Sequence, residues 1–475
     1  MKKLLFLGLS LLLILPAAAK IKLPALLGNN MVLQRQCEAN LWGEAGPSKK
    51  VTVTTSWDNR KYTTKADESG AWMLKVSTPE AGGPYTIRIS DGEALQLDNV
   101  MIGEVWVCSG QSNMQMTVTG NYGEPVDGST EALITAPQYK DIRLFQVERT
   151  TSTEPKTECN GQWQEASAES VAPFSAAAYF FARNLYQALG VPIGLIEADW
   201  GGTRIETWMT VSAAQKVDPN VLATDPDHGE PNKVARLYNA MIHPLLNYTA
   251  QGFIWYQGES NIHTNSYPHY ARLMEEMVSL WREGWGKADM PFYFVQLVPF
   301  IYAGGTDGIV EPLMVEQQLA ASDRIPHCAM ISTTDMADAG TIHPAGKDKV
   351  GQRLALLALT KTYGLKGLIA ESPRYESVRF EDGKAIVSFR TEGTLGPNYK
   401  GRIKGFEIAG PDRIFIPARA EYVPGKPEVV VSSEIVSEPV AVRYAFRNVP
   451  EAATLTNTGG LPAFPFRTDD WDDVQ

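Results

Sequence analysis

In the stretch VWVCSGQSNMQM (residues 105–116) a serine, Ser112, follows an apolar run and stands between Gln111 and Asn113. A serine hydroxyl acts as a nucleophile when a base lies within hydrogen-bond reach, a further group orients that base, and donors await an oxyanion. Three other polar clusters offer those parts. DWGGTRIETW places Gly201 and Gly202 after an apolar run, where a bare main-chain N–H can face a ligand. Arg204, close behind, can meet a substrate carboxylate or pair with an acid. WYQGESN ends another run with Gln257, Glu259 and Asn261. Gln257 can donate its amide to an oxyanion, and Glu259 can orient a histidine. TDMADAGTIHPAGK carries His343, one of six histidines, just before a helical pattern that starts near Pro344. Taken singly, each cluster has a plainer explanation: a helix N-cap for Ser112, a tight turn for the glycines, a structural role for the histidine. It is their joint position that matters.

The elements that must position them divide the chain into three. Residues 20–98 alternate short β patterns (KVTVTTSW, AWMLKVST, YTIRIS) with turns such as DESG and EAGGP, which predicts a small β-sandwich. Over residues 99–365 the apolar runs EVWVCSG, PIGLIEADW, GFIWYQG, FYFVQLV and CAMISTTD alternate with amphipathic stretches such as AAAYFFARNLYQALG and HYARLMEEMVSLWREGW. That alternation predicts an α/β domain with a parallel sheet covered on both faces, and an active site beyond the carboxyl ends of its strands. All four clusters fall there, and His343 follows the last strand. Residues 366–475 return to strand patterns (AIVSFR, EVVVSS, VAVRYAFRN), a second β-domain.

A length of 475 residues suits two or three domains, and 44% hydrophobic with 20% charged residues is ordinary for a folded protein. The net charge of -11 argues against a nucleic-acid partner. Eleven Trp and eighteen Tyr suit stacking on sugars and equally suit cores. MKKLLFLGLSLLLILPAAAK has the layout of a signal peptide ending near Ala19, so export to the periplasm or the medium is expected, without stable membrane insertion. The spacing of Cys37, Cys108, Cys159 and Cys328 fits no zinc motif. Their pairing stays open, with Cys108 and Cys328 expected as free thiols in buried strands. No metal motif and no nucleotide-binding loop is present, and no cofactor is expected.

Serine, then glycine, then an amide side chain, then histidine, in this strand order, is the sequence of parts in the SGNH hydrolases. SGQSNMQM, WGGTRIETWM, LYNAMIHPLL, IWYQGESN and IHPAGKDKVGQRLA resemble the sialate O-acetylesterase family and the related acetylxylan esterases. The C-terminal VRYAFRNVP and LTNTGGLPAFPFRTDDW resemble that family's tail. The resemblance implies a flavodoxin-like three-layer domain flanked by β-sandwich-like domains, and removal of O-acetyl groups from carbohydrate. O-acetylated sialic acid is the leading substrate, acetylated xylan or another polysaccharide the alternative, and a glycan-binding protein with a decayed site a further one. Carried over, Ser112 is the nucleophile and His343 the base. The Ser112 N–H, Gly201 or Gly202, and Gln257 are the oxyanion donors. Asn239 falls in a motif that lines the site in relatives, and Gln111, Asn113, Arg204 and Asn261 are further candidate substrate contacts. The chain departs from the pattern at the acid: SGNH enzymes usually carry Asp two or three residues before the histidine, where this chain has Thr341 and Gly340. Glu259 is the favoured replacement; Asp338, Asp335, or a Ser-His dyad without an acid are the others.

Overall fold

The computed structural model describes residues 21–223, 229–397 and 402–472, so the leader-like Met1–Ala19 and His228 lie outside the described residues. Six strands form the parallel sheet, in the order Cys328–Ile331, Phe292–Val295, Gly252–Tyr256, Ala94–Gly110, Ile193–Asp199, Ile142–Gln146; Trp163–Glu165 adds an antiparallel edge. The stretches that cross the sheet are rich in apolar residues and buried because both faces are covered. Val105, Val107, Phe253, Trp255, Phe292 and Phe294 pack into one core with Met274, Met277 and Trp281 of helix Tyr270–Trp285 and with Met314 and Val315 of helix Val310–Arg324. Their neighbours in sequence, Trp106, Cys108, Ile254, Tyr256, Tyr293 and Val295, point the other way. There they meet Phe180, Phe181 and Leu185 of helix Ala176–Leu189 and Val350 and Leu354 of helix Lys347–Leu357. The side chains thus alternate between two cores with the period of two that a strand imposes.

Local chemistry sets the helix ends. Ser175 caps helix Ala176–Leu189 by accepting from the N–H of Ala178, and Gly190 closes it in the left-handed region at φ 64°. Gly286 closes helix Tyr270–Trp285 in the same way at φ 66°.

Ala94–Gly110 is one strand of 17 residues serving two sheets. Its first half runs antiparallel to Gly82–Ser90 and beside Val32–Gln34; its second half lies between Gly252–Tyr256 and Ile193–Asp199. The boundary expected between residues 98 and 99 therefore falls inside a hydrogen-bonded strand. The core is continuous across it, since Val51, Val53, Ile87 and Ile89 belong to the same cluster as Val105 and Phe253.

Residues from Arg374 onward form two four-stranded antiparallel sheets, built on Lys384–Arg390 with Glu428–Ser432 and on Phe406–Ala409 with Ala441–Tyr444, and a two-stranded one of Leu395–Pro397 with Leu455–Asn457. Val387, Val431, Ile408, Val442 and Phe466 fill the space between them. This part grips helix Val310–Arg324. Arg467 donates to both oxygens of Glu316 at 2.8 and 3.0 Å, and Arg374 to both oxygens of Asp323 at 2.9 and 3.0 Å. Buried Asn448 accepts from the N–H of Glu311 at 2.8 Å and donates to the carbonyls of Ala303 and Gly305 at 2.9 and 2.8 Å.

All four cysteines are unpaired. Cys108 is fully buried, as expected for a core thiol, whereas Cys328 is half-buried at the first position of its strand. Among the described residues no helix is long and apolar enough to cross a membrane.

Candidate active site

Ser112 opens a single helical turn, Ser112–Gln115, directly beyond the strand that ends at Gly110. The turn is sharp because Gly110 sits at φ 145°, where a Cβ would lie 2.1 Å from the carbonyl oxygen of Tyr256 on the neighbouring strand. The N–H of Gln111 then donates to that same carbonyl at 3.0 Å, which ends the ladder and lifts Ser112, half-buried, out of the sheet. As a first-turn position, Ser112 has no intrahelical acceptor for its own N–H, and among the described residues none is found elsewhere.

The two residues flanking Ser112 are buried amides, each the hub of a network. Asn113 follows it. Its Nδ2 donates to Glu259 Oε1 at 2.5 Å and to the carbonyl of Ile342 at 3.0 Å, while its Oδ1 accepts from Lys347 Nζ at 2.6 Å. Gln111 precedes it. Its Oε1 accepts from Gln257 Nε2 at 3.1 Å and from the N–H groups of Ser260 and Gly258 at 3.2 and 3.4 Å. Because Ile342 precedes His343, the first network brings the turn of Ser112 and the loop of His343 together.

The carboxylate that meets His343 is Glu124. His343 Nδ1 lies 2.9 Å from both Glu124 oxygens. Thr341 Oγ1 donates to Glu124 Oε1 at 2.8 Å and accepts from the His343 N–H at 2.9 Å; Asn121 Nδ2 donates to Glu124 Oε2 at 3.1 Å. Thr341, at the position where an acid is customary, thus holds an acid delivered from another loop. Partial burial raises the Glu124 carboxyl, but the hydrogen bonds from His343, Asn121 and Thr341 together outweigh it and leave it below its ordinary value.

None of the three acids named from the sequence makes that contact. Asp335 forms a two-pronged pair with Arg353 at 2.8 and 2.7 Å, and Asp338 accepts from the N–H of Gly340 at 2.7 Å, closing its own turn. Glu259 is turned to Asn113; its second oxygen is buried without a partner, and burial pushes its carboxyl up. Beside it, burial pushes the Lys347 amine down to about 7, against the pull of Glu259 and Glu124.

Of the glycine pair, Gly201 lies against Ser112: a Cβ on it would approach Ser112 Cβ to 3.2 Å. Its N–H, however, donates to Gln115 Oε1 at 2.5 Å. Gly202, at φ 72°, keeps an N–H that meets no acceptor among the described residues. Gln257 is wholly buried, its Nε2 directed at Gln111 Oε1, the Thr203 carbonyl and Asn261 Oδ1, its Oε1 accepting from the Tyr270 hydroxyl at 2.7 Å. Its amide faces the interior rather than a substrate. Asn261 donates to Glu206 Oε2 and Ser266 Oγ, both at 2.9 Å. Arg204 is buried as well, donating to the Asn232 carbonyl at 2.9 Å and lying 3.8 Å from Glu206, so it pairs inside the protein. Asn239 donates to the carbonyls of Ser152 and Thr153, fastening that loop.

The family model described as carbohydrate esterase, sialic acid-specific acetylesterase, matches residues 102–360, which contain every group just described. The chain belongs to the sialic acid-specific acetylesterase family. Two similar relatives are the sialate O-acetylesterases of Pongo abelii and Homo sapiens, each 30% identical over 509 residues covering 97% of this chain and 96% of theirs. The crystal structure of a carbohydrate acetylesterase from Xanthomonas citri matches with a TM-score of 0.87 at 34% identity, over 95% of this chain and all of that one. As a member of the acetylesterase family, the chain is a carboxylic ester hydrolase with carbohydrate acetylesterase function.

Two residues of this acetylesterase site were not singled out by sequence reasoning. Glu124 sits in GNYGEPVDG, which reads as an exposed turn, and it meets His343 from 219 residues away. Its one local signal is its place on the loop that leaves the turn of Ser112. Lys347 reads as an exposed first-turn residue of the helix after His343 and is instead fully buried.

Proposed function

We propose that this acetylesterase works through Ser112, His343 and Glu124. The observation carrying the proposal is the 2.9 Å contact of His343 Nδ1 with both Glu124 oxygens, in a loop tied to the residue after Ser112. In this reading the Ser112 hydroxyl attacks the acetyl carbonyl while His343 Nε2 takes its proton, and Glu124 fixes the ring and stabilises the imidazolium. The N–H groups of Ser112 and Gly202 receive the oxyanion. Collapse expels the sugar hydroxyl, protonated by His343, and leaves an acetyl-enzyme. Water, deprotonated by His343, then releases acetate.

The substrate proposed is an O-acetylated sugar, with sialic acid first because the relatives matched along nearly their whole length are sialate O-acetylesterases. Buried Arg204 weakens one argument for it, since that guanidinium is engaged inside the protein and does not read a sialate carboxylate. An acetylated polysaccharide is therefore the second reading. The glycan-binding alternative loses one of its two supports, because Glu124 stands behind His343. Export is part of the proposal, resting on the Met1–Ala19 layout.

Turnover of p-nitrophenyl acetate that is abolished by Ser112→Ala and by a serine-directed organophosphate is the expected result. Wild-type turnover by Ser112→Ala overturns the proposal. Acetate release from O-acetylated sialic acid against acetylated xylan ranks the two substrates.

A further inference from the structure

Asn113 adjoins the nucleophile in sequence, and through Ile342 it touches the residue adjoining the base. Its amide is fully committed: both Nδ2 protons are donated, one to Glu259 Oε1 and one to the Ile342 carbonyl, and Oδ1 receives Lys347 Nζ. A side-chain amide normally has two orientations of similar energy that differ by exchange of O and N. Here a carboxylate on one side and an amine on the other select one of them, since reversal would set oxygen against carboxylate and N–H against amine. Both selecting groups are buried, Glu259 at 2% and Lys347 at 0% exposure, so their hold is little screened. Lys347 also stands 5.3 Å over the ring of Tyr256, the last residue of the neighbouring strand.

We infer that Asn113 is a positioning residue that sets the distance between Ser112 and His343, and that Glu259 and Lys347 act as a buried pair holding its amide in register. The inference rests on Ser112 and His343 being nucleophile and base. It gives Glu259 a task other than orienting the histidine ring. It also accounts for a lysine kept in an interior that disfavours its charge: Asn113 Oδ1 needs a donor there, and the first turn of helix Lys347–Leu357 supplies it beside the loop of His343.

The test measures kcat and KM for p-nitrophenyl acetate, with active sites titrated by an organophosphate and folding followed by circular dichroism. For Asn113→Ala we expect kcat per titrated site to fall about 10²-fold with KM unchanged within about twofold, the signature of misaligned reacting groups. A role confined to stability would lower the melting temperature and leave kcat per site intact, and that result overturns the inference. Should Asn113→Ala fail to fold, the near-isosteric and net-neutral Glu259→Gln/Lys347→Met carries the test. It retains Asn113 but frees its amide to turn, so a fall in kcat of about 10-fold at constant KM is expected. Wild-type kcat per site in that folded variant overturns the inference. Neither result touches the reading of Ser112, which falls only if Ser112→Ala stays active.

Discussion

Glu124 and Glu259 both feel the field of His343, yet their surroundings give them opposite characters. Glu124 is partly exposed, touches the imidazole, and is held below the ordinary carboxyl value by the donors around it. Glu259 is buried, touches Asn113 instead, and is held above that value. Glu124→Gln keeps the shape of the side chain but leaves the imidazole without a charged partner. Steady-state kinetics should show kcat reduced by about 10² to 10⁴-fold with KM little changed, the range bounded by amide replacement of the acid in a serine protease. Asp335→Asn, at the two-pronged pair with Arg353, should leave kcat unchanged and lower only the melting temperature. The sequence drew attention to Ser112 at a strand end and to His343 in the loop before a helix, each within a motif of several residues. Glu124 was not legible: an acid in a Gly- and Pro-containing turn looks like solvent-exposed charge, and only the three-dimensional path of residues 117–128 carries it to Thr341 and His343.

At the scale of elements, the strand-to-helix turn depends on Gly110. An alanine there must keep a φ of 145° and accommodate a Cβ 2.1 Å from a backbone oxygen, so neither the turn nor the neighbouring strand can adjust cheaply. Chemical denaturation of Gly110→Ala should show a loss of at least about 2 kcal/mol, together with loss of esterase activity. Helix Lys347–Leu357 supplies a pH test. The Lys347 amine is lowered to about 7 in the folded protein, whereas an unfolded lysine titrates near about 10.4, so between those values the unfolded chain binds the additional proton. Stability gains from this group as pH rises through that window. The melting temperature of wild type relative to Lys347→Met should therefore rise from pH 7 to pH 10. The strands and long helices were readable from apolar runs and amphipathic period, and their order in the chain placed the site. The burial of Lys347 was not, because a first-turn lysine becomes interior only when the turn of Asn113 and the ring of Tyr256 close over it.

At the scale of the molecule, the C-terminal sheets complete the esterase part. Asn448 supplies the acceptor for the first turn of helix Val310–Arg324 and both donors for the loop at residues 303–305. Replacing it by alanine leaves those buried groups unmatched, each worth roughly 1–3 kcal/mol. Asn448→Ala should lower the melting temperature far more than a surface substitution, and a chain ending at residue 365 should be recovered aggregated. The N-terminal region is bound more closely still, through the strand Ala94–Gly110. That shared strand bears on how this gene can recombine. A crossover near codon 98 would graft a foreign half-strand onto the one whose far end aims Ser112, and the register of two sheets would have to survive the graft. A crossover within residues 364–373, where the chain is irregular between its last core helix and Arg374, leaves every central strand intact. Chimaeras joined at the second position should retain a titratable serine, and those joined at the first should lose it.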